Sequence, residues 1–542
     1  MCGKNARFAL IGAALALFAF AGVVRTARAA TTTVVTIMDG RLRGLRHNGV
    51  REFLGIPYAT PPVGNLRWRP PEAEHPAWKT VVAATRMGPS CPQILPDAEP
   101  IPTSEDCLFL NIYAPDPPRT GLPVMVWIHG GAFILGSGAS YDGSALVRKH
   151  HLVVVTINYR LGALGFLTLP SLAAESPAHI SGNYGLLDQQ AALQWVRRNI
   201  AGFGGDPHKV TIAGESAGGI SVCAQLVSPE ASGLFRGAII ESGPCLHQAI
   251  VADGEKIGHE LVSKLGCSNA GNEAACLRSK SAEQVLSAMP GSVQGPLLWQ
   301  PVIDGHVLPS QPVEAFRSGT FNKVPVINGS NRDEGTLFVA FGKPLAAEIY
   351  PAAIGSFAQL GRPRAPSAPT PNDESARVVA EYPLEGYQSP SEGLAAVLGD
   401  AIFSCPILKT NQLLSSFVRS YEYEFNDRQA PSTLIAHPPF PLGAYHASEI
   451  QYVFQTYFPA GRRSGRPDFS PEQLKLSDQI AGYWSRFIAT GNPDSASPAW
   501  SPQKPGDMRI LSLSPDGIRY ESDFVRTHHC ALWNSLRHEP KP

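Results

Sequence analysis

The sequence carries no excess of either charge. Its 542 residues include 45 Lys and Arg and 45 Asp and Glu, so the formal net charge is zero, and charged residues make up only 17% of the chain. Proteins that bind nucleic acid usually present a basic face or a strongly basic balance. We therefore expect no nucleic-acid partner. A hydrophobic content of 44% instead indicates a globular chain that buries a large core.

Long apolar runs are scarce, and the longest lies at the N-terminus. Lys4 and Arg7 precede an apolar stretch from Phe8 to Val24, and Ala27 and Ala29 occupy the two positions that signal peptidase reads. The stretch is slightly shorter than the roughly 20 residues of a transmembrane helix. We predict that residues 1–29 are a cleaved secretory signal, the alternative being an uncleaved membrane anchor. The protein would then be secreted or periplasmic, without stable membrane insertion.

Cysteine is sparse, with nine residues in the chain, of which eight follow the predicted signal. Export into an oxidising compartment would permit disulfides. Cys91 and Cys107, and also Cys267 and Cys276, are close enough in sequence to close small loops. Spacing alone does not determine which cysteines pair. Removing the signal also removes four basic residues and no acidic ones, which leaves 41 basic and 45 acidic residues.

The sequence has no internal repeat, and its pattern is that of an α/β fold. Short apolar runs predict strands, and a helix is predicted over Asn183 to Asn199. The predicted strands are Leu122 to Ile128, Leu152 to Asn158, Val210 to Gly214, Ala238 to Glu241, Val324 to Asn328 and Tyr421 to Phe425. Continuous apolar strands that alternate with helices predict a mostly parallel sheet with helices on both faces. We expect residues 30–542 to form one such domain.

Two further predictions concern the N-terminal third. Thr33 to Met38 and Arg41 to Arg46 flank Asp39-Gly40, which predicts an antiparallel hairpin. The Pro- and Gly-rich stretch from Phe53 to Trp68 is predicted to be a loop held down by its aromatic residues.

The sequence Gly214-Glu215-Ser216-Ala217-Gly218 follows a β-branched strand and opens a helix-like pattern. A serine between glycines at such a strand-to-helix turn is pushed out at the top of the sheet, because the glycines let strand and helix approach closely. Ser216 is therefore the candidate nucleophile, and the amide of Ala217 points to where an oxyanion would form. The alternative is an ordinary glycine-flanked turn.

A second glycine-rich loop, His129-Gly130-Gly131-Ala132-Phe133, follows the predicted strand Leu122 to Ile128. Backbone without side chains can bring successive N–H groups close to a ligand oxygen, so this loop is a candidate oxyanion hole. The alternative is a plain turn. We expect His129 itself to be a structural histidine of the loop.

A serine nucleophile needs a base and a carboxylate that orients the base, and in this type of fold their chain order is serine, acid, histidine. Loops after predicted strands offer two candidates for each role. His437 and His446 are equally suited to be the base, and Asp333 and Glu334 to be the acid. Spacing does not separate them.

Seven stretches resemble the type B carboxylesterases, the carboxylesterase and cholinesterase branch of the α/β-hydrolases. They are FLGIPYA at Phe53, EDCLFLNIY at Glu105, WIHGGAF at Trp127, GNYGLLDQ at Gly182, GESAGG at Gly214, RDEGTLF at Arg332 and AYHASEI at Ala444. The resemblance covers about Val34 to Asn534. It implies an α/β-hydrolase fold with helical insertions over the active site, and an enzyme that cleaves carboxylic esters.

The resemblance also implies the roles of individual residues. Ser216 would be the nucleophile, Glu334 the acid and His446 the base. The amides of Gly131, Ala132 and Ala217 would donate hydrogen bonds to the oxyanion. Ser242 would support the triad residues without being one of them. The implied disulfides are Cys91–Cys107, Cys267–Cys276 and Cys405–Cys530, with Cys223 and Cys245 left as buried free thiols.

No metal or organic cofactor is implied, and the expected partner is a small-molecule ester. The segment from Cys91 to Cys107 contains no aromatic residue, whereas the longer loop of acetylcholinesterases carries a tryptophan that binds quaternary ammonium. Choline esters are therefore not expected. Two alternatives stay open: a catalytically silent binding or adhesion protein similar to neuroligins, and amide hydrolysis by the same three residues.

Overall fold

The fold is described from a computed structural model over residues 31–72, 77–94, 102–359, 371–460, 465–494 and 498–536. The predicted signal at residues 1–29 lies outside these described residues.

A sheet of 13 strands organises the protein. The strands of this sheet are β1 (Thr31–Ile37), β2 (Gly40–His47), β3 (Val50–Pro57), β4 (Val81–Ala83), β5 (Phe109–Pro115), β6 (Leu122–Ile128), β7 (Val153–Ile157), β8 (Gly205–Glu215), β9 (Gly237–Glu241), β12 (Val326–Asn331), β13 (Ser420–Phe425), β14 (Ile510–Leu513) and β15 (Arg519–Glu521). A separate two-stranded sheet consists of β10 (Ala249–Ile250) and β11 (Val302–Ile303). The spatial order is β1-β2-β3-β5-β7-β6-β8-β9-β12-β13-β14-β15, with β4 beside β2.

The seven strands from β7 to β14 in this order run parallel. The other strands pair antiparallel, except that β4 pairs parallel with β2. The mostly parallel α/β sheet predicted from the apolar runs is therefore confirmed. Because the carboxyl ends of parallel strands share one edge of the sheet, the loops after β6, β8, β12 and β13 meet there.

The helices are α1 (Ser144–His150), α2 (Gly162–Phe166), α3 (Pro170–Ala173), α4 (Tyr184–Asn199), α5 (Ala217–Val227), α6 (Val251–Lys264), α7 (Glu273–Arg278), α8 (Ala282–Ala288), α9 (Pro312–Ser318), α10 (Gly335–Ala340), α11 (Tyr350–Ser356), α12 (Pro371–Glu381), α13 (Pro390–Leu398), α14 (Cys405–Leu414), α15 (Ile450–Phe454), α16 (Pro471–Thr490), α17 (Phe524–Thr527) and α18 (Cys530–Leu536). A π-helical turn, Gly399–Ser404, joins α13 to α14.

Both faces of the sheet are covered, which explains why the central strand β6 is apolar at every position. In β6, Val124 and Val126 pack with α4 and α5 in one hydrophobic cluster, whereas Met125 and Trp127 pack with α1 and α16 in another. Alternate side chains of a strand point to opposite faces, so a strand buried on both sides needs a continuous apolar run.

The predicted N-terminal hairpin is confirmed, but the loop predicted from Phe53 to Trp68 is partly wrong. β1 pairs antiparallel with β2. Phe53 to Pro57 belong to β3, which pairs with β5 across an irregularity between Phe53 and Ile56. Gly55, at φ +72°, accounts for the misreading, because a glycine inside a strand resembles a loop signal when it actually marks such an irregularity.

The continuous helical stretch Pro390–Leu414 is long and apolar enough to cross a membrane by composition. However, 67% of its most apolar window is buried inside the protein. The apolar side chains are thus used in packing, as in the core helix of a globular protein.

The three disulfides implied by the resemblance, Cys91–Cys107, Cys267–Cys276 and Cys405–Cys530, are present in the structure. The structure also joins Cys223 of α5 to Cys245, with their Cα atoms 5.6 Å apart. The expectation that these two cysteines are free thiols is therefore wrong. The pair was not apparent from the sequence because α5 and the loop after β9 meet only in the folded sheet.

A buried carboxyl group in the sheet makes stability depend on pH. Tyr421, Tyr423 and Phe425 of β13 pack in one cluster, while Glu422 points to the opposite face and is 3% exposed. Burial raises the pKa of Glu422 to about 8, against smaller opposing effects of the nearby side-chain amides of Asn411 and Gln503. The neutral acid is thus the form that the fold favours.

We expect the Glu422→Gln variant to lose less stability than wild type when the pH is raised into the alkaline range. An unfolded glutamate ionises near 4.5, so between about pH 4.5 and 8 the folded state holds a proton that the unfolded state has lost. The free energy of unfolding therefore falls by a few kcal/mol as the pH rises through this window. Melting temperatures at pH 5 and pH 9 test this: wild type should lose several degrees more than the variant. Equal losses would contradict the buried neutral acid.

Candidate active site

Ser216 lies at the turn between β8 and α5 in a strained backbone conformation. Its φ of 57° and ψ of −123° belong to a region that non-glycine residues rarely occupy. The turn is held because the Ser216 amide donates to the Glu241 carbonyl oxygen of β9 at 2.9 Å. The side chain of Ser216 is half-buried, so its hydroxyl is accessible at the carboxyl edge of the sheet.

The flanking glycines are required by close backbone contacts. A Cβ added to Gly218 would lie 2.0 Å from the Ile128 carbonyl oxygen, and one added to Gly214 would lie 2.6 Å from the Gly218 backbone. Such contacts exclude a side chain, so strand, helix and the end of β6 can meet only with glycine at these positions. The elbow is thereby packed against the start of the second glycine-rich loop.

That second loop is also strained and lies directly beside Ser216. A Cβ added to Gly130 would approach the Ser216 Cβ to 3.1 Å. Gly131, Ala132 and Phe133 all have positive φ, at 103°, 54° and 59°. Left-handed backbone costs about 1–3 kcal/mol at each non-glycine residue, so neighbouring contacts have to hold it in place. The backbone of this loop is thus in close contact with Ser216.

Glu334 lies in the loop after β12, at the start of α10, and is fully buried. Its Oε1 accepts hydrogen bonds from the Ser242 hydroxyl at 2.5 Å and from the Asn331 amide at 2.8 Å. Its Oε2 lies 2.6 Å from Nδ1 of His446. Three donors converge on one carboxyl group, which is the environment that a carboxylate requires when it is removed from water.

The contact with Glu334 determines which nitrogen of His446 carries the proton. A carboxylate only accepts, so Nδ1 is the donor and Nε2 of the neutral ring is left as a proton acceptor. Nε2 lies 3.0 Å from Oε1 of Glu215, the residue before Ser216. The imidazole is therefore beside the elbow, although within the described residues no hydrogen bond joins it to the Ser216 hydroxyl.

The structure separates the candidates that spacing left open. Asp333 points away from His446: its Oδ2 accepts from the Ala444 amide at 2.9 Å and pairs with Arg428 at 3.1 Å. His437 is exposed, whereas His446 is 4% exposed and bound to Glu334. Asp333 thus holds the loop that carries His446, and Glu334 makes the direct contact.

Three buried carboxyl groups around His446 were not identified from the sequence. Burial, and then the charges of Glu334 and Glu241, raise the pKa of Glu215 well above its usual range. Burial and neighbouring acids do the same to Glu449, and burial raises the pKa of Glu241 to about 8. A glutamate inside the Gly-x-Ser-x-Gly motif was the one available signal. Raised pKa values favour the neutral form of these three acids, whereas Glu334 is the carboxyl group on which three donors converge.

Two phenylalanines that sequence reasoning also missed enclose the imidazole. The ring centroids of Phe338 and Phe403 lie 4.8 and 4.9 Å from that of His446, and the two rings stack on each other at 5.6 Å. Phe338 comes from α10 and Phe403 from the π-helical turn. They restrict the orientation of the ring and exclude water from one side of it.

His129 has the structural role expected for it. Its ring stacks on Tyr159 with centroids 4.4 Å apart, and its Nδ1 lies 2.8 Å from the Gly130 carbonyl oxygen. Burial lowers the pKa of His129 to about 4, so the ring is neutral at pH 7. In the part of the chain that the structure describes, no group of three or more His, Cys, Asp or Glu is placed to hold a metal ion.

Comparison with known proteins agrees with this arrangement. A model of the carboxylesterase family matches residues 31–533. The chain is 38% identical to acylcarnitine hydrolase of Mus musculus over 484 residues, covering 86% of this chain and 83% of the relative. It is 36% identical to para-nitrobenzyl esterase of Bacillus subtilis over 507 residues, covering 91% and 97%. A solved structure of a PNB esterase superimposes with a TM-score of 0.76 at 34% identity, covering 93% of this chain and all of that one.

Proposed function

The chain belongs to the carboxylesterase family, and from this premise we propose that Ser216, Glu334 and His446 are the catalytic triad of a serine esterase. The protein is a carboxylic ester hydrolase that acts on small-molecule esters. The observation that carries the proposed triad is the buried contact of 2.6 Å between His446 Nδ1 and Glu334 Oε2, next to the strained turn of Ser216. The domain proposed for this activity spans residues 30–542.

In the proposed first half-reaction, the Ser216 Oγ attacks the ester carbonyl carbon and its proton passes to His446 Nε2. The carbonyl oxygen becomes an oxyanion, which accepts hydrogen bonds from the amides of Gly131, Ala132 and Ala217. Glu334 stabilises the imidazolium that forms. The carbon–oxygen bond to the alcohol then breaks, and Nε2 returns its proton to the leaving alkoxide.

In the second half-reaction, water attacks the acyl group on Ser216. His446 Nε2 accepts a proton from the water, and a second tetrahedral oxyanion forms at the same three amides. When this intermediate collapses, the proton returns to Ser216 Oγ and the carboxylic acid leaves. One water molecule is consumed for each ester cleaved, and its oxygen becomes part of the released carboxylic acid.

The strain at Gly131, Ala132 and Phe133 supports the assignment of the oxyanion hole. Backbone conformations of this kind persist only when their surroundings enforce them, and they concentrate at active sites. The packing of Gly130 against Ser216 supports the same assignment, because it keeps the loop next to the proposed nucleophile.

The alternative of a silent binding protein is disfavoured because the nucleophile, base and acid are all present. Hydrolysis of amides differs from hydrolysis of esters only in the leaving group, so the same residues would serve it. We further propose that the protein is exported through residues 1–29, since four disulfides suit an oxidising compartment.

Covalent labelling tests the proposal. A fluorophosphonate should add to folded protein at a single site, and peptide mass spectrometry should locate the adduct on Ser216. Ester turnover is then measured with p-nitrophenyl esters of increasing acyl length. The names of the relatives make p-nitrobenzyl and acylcarnitine esters the next substrates to try. A folded protein that forms no adduct would favour the binding alternative.

A further inference from the structure

The side chain of Gln93 makes a paired contact with the backbone of Gly136. Its Nε2 donates to the Gly136 carbonyl oxygen at 2.9 Å, and its Oε1 accepts from the Gly136 amide at 2.9 Å. Nε2 also donates to the Cys91 carbonyl oxygen at 3.0 Å. The amide group thus binds the backbone as a neighbouring strand would, although 43 residues separate Gln93 from Gly136 in sequence.

Gly136 lies three residues after the glycine-rich loop His129 to Phe133. The peptide group between Leu135 and Gly136 makes two contacts. Its N–H, from Gly136, donates to Gln93, and its carbonyl oxygen, from Leu135, faces Gly131. A Cβ added to Gly131 would lie only 2.2 Å from that oxygen. A Cβ added to Gly136 would lie 2.6 Å from the Gly130 carbonyl oxygen. The loop therefore folds back on itself, and Gln93 binds the peptide that closes it.

Gln93 is anchored from the other side. It lies two residues after Cys91, which forms a disulfide with Cys107. The Asn158 Nδ2 donates to the carbonyl oxygens of Pro89 at 3.0 Å and Cys107 at 3.1 Å. The Oδ1 of Asn158 accepts from the Gly138 amide at 2.8 Å. The disulfide region and the end of the glycine-rich loop are thus bound to each other through two side-chain amides.

We propose that Gln93 is a positioning residue that holds the oxyanion hole in its strained form. Three successive residues with positive φ, Gly131 to Phe133, would relax toward commoner backbone angles without external contacts. Relaxation would turn the amides of Gly131 and Ala132 away from the developing oxyanion. This inference rests on the proposed function, because it assigns a support to the oxyanion hole proposed there.

The Gln93→Ala substitution tests the inference. Loss of one oxyanion donor typically costs 10²- to 10³-fold in kcat, so we expect loosening of two donors to lower kcat by about tenfold. KM should stay within about twofold, because the ground-state ester does not depend on these amides. Affinity for a trifluoromethyl ketone, which forms a tetrahedral oxyanion on Ser216, should fall by the same factor as kcat.

A matched control is available in Gln311, which makes the same paired contact with the backbone of Gln248. Its Nε2 donates to the Gln248 carbonyl oxygen and its Oε1 accepts from the Gln248 amide, both at 2.9 Å. Gln311→Ala should lower the melting temperature as much as Gln93→Ala and leave kcat unchanged. An equal loss of kcat in both variants would overturn the inference.

A second variant, Gln93→Glu, keeps the shape of the side chain. Its carboxylate can accept from the Gly136 amide but cannot donate to Gly136 or Cys91, so kcat should fall by an intermediate factor. This variant decides the question if Gln93→Ala does not fold. Unchanged kcat and ketone affinity would refute the role of Gln93. Failure of the proposed function would be seen separately, as wild-type protein that hydrolyses no ester and forms no adduct.

Discussion

Replacement of Ser216 by alanine is expected to lower kcat for p-nitrophenyl esters by about 10⁵- to 10⁶-fold. Removal of the hydroxyl leaves no group that can form the acyl-enzyme, and His446 then has no nucleophile from which to accept a proton. The residual rate would come from substrate binding and the backbone oxyanion donors. Fixed-time assays of ester hydrolysis measure the loss of turnover, and fluorophosphonate labelling measures the loss of the covalent adduct. The variant should form no adduct.

Ser477 supplies the control for a buried serine outside the site. It lies in α16, and its hydroxyl donates to the Tyr452 carbonyl oxygen at 3.0 Å. Ser477→Ala should cost about 1 kcal/mol of stability and leave kcat within about twofold of wild type. If Ser216→Ala kept more than about one hundredth of the wild-type rate, with substrate in excess, the proposed nucleophile would be wrong.

The Glu334→Gln substitution is expected to lower kcat by about 10⁴-fold. Glutamine has nearly the same shape, but its one side-chain oxygen would stay with the Ser242 and Asn331 donors. The NH₂ group would then face His446, and it cannot accept a hydrogen bond from Nδ1–H. The imidazole would then turn its acceptor nitrogen toward residue 334 and its N–H toward Ser216, so it could no longer act as a base. KM should change little, because Glu334 is fully buried and does not reach the substrate.

Glu422→Gln is the matched change at another buried glutamate. Since the fold already favours the neutral acid at Glu422, its amide analogue should keep wild-type kcat at pH 7. Folding of Glu334→Gln is checked by its melting temperature and by its near-wild-type KM. A folded Glu334→Gln variant with a rate within tenfold of wild type would show that another group orients His446.

Local patterns were sufficient for the elements that carry the site. The run Leu122 to Ile128 is strand β6 with the same bounds, and the predicted elbow at Ser216 follows β8 as expected. These predictions succeeded because burial on both faces favours a continuous apolar run such as that of β6, and because the tight turn admits only glycine on each side of Ser216.

Contacts between distant segments were not accessible in the same way. The choice of Glu334 over Asp333 depends on the direction in which each side chain leaves one turn, and both residues are acidic. Cys223 and Cys245 were expected to be free because the family resemblance pairs the other six cysteines. Their pairing follows from the packing of α5 against the end of β9. The role inferred for Gln93 depends on Gly136, a residue with no sequence pattern that relates it to Gln93.

By itself the sequence determined the parallel α/β sheet, the nucleophile elbow and, through its resemblance to a family, the reaction class, because each of these leaves a pattern within a short stretch of chain. Only the tertiary structure decided which oxygen faces His446, which carboxyl groups are buried near it, and which side chains contact the glycine-rich loop. Those features arise where the carboxyl ends of parallel strands bring together loops that are far apart in sequence, and their energies depend on burial and on distances of about 3 Å that no local pattern encodes.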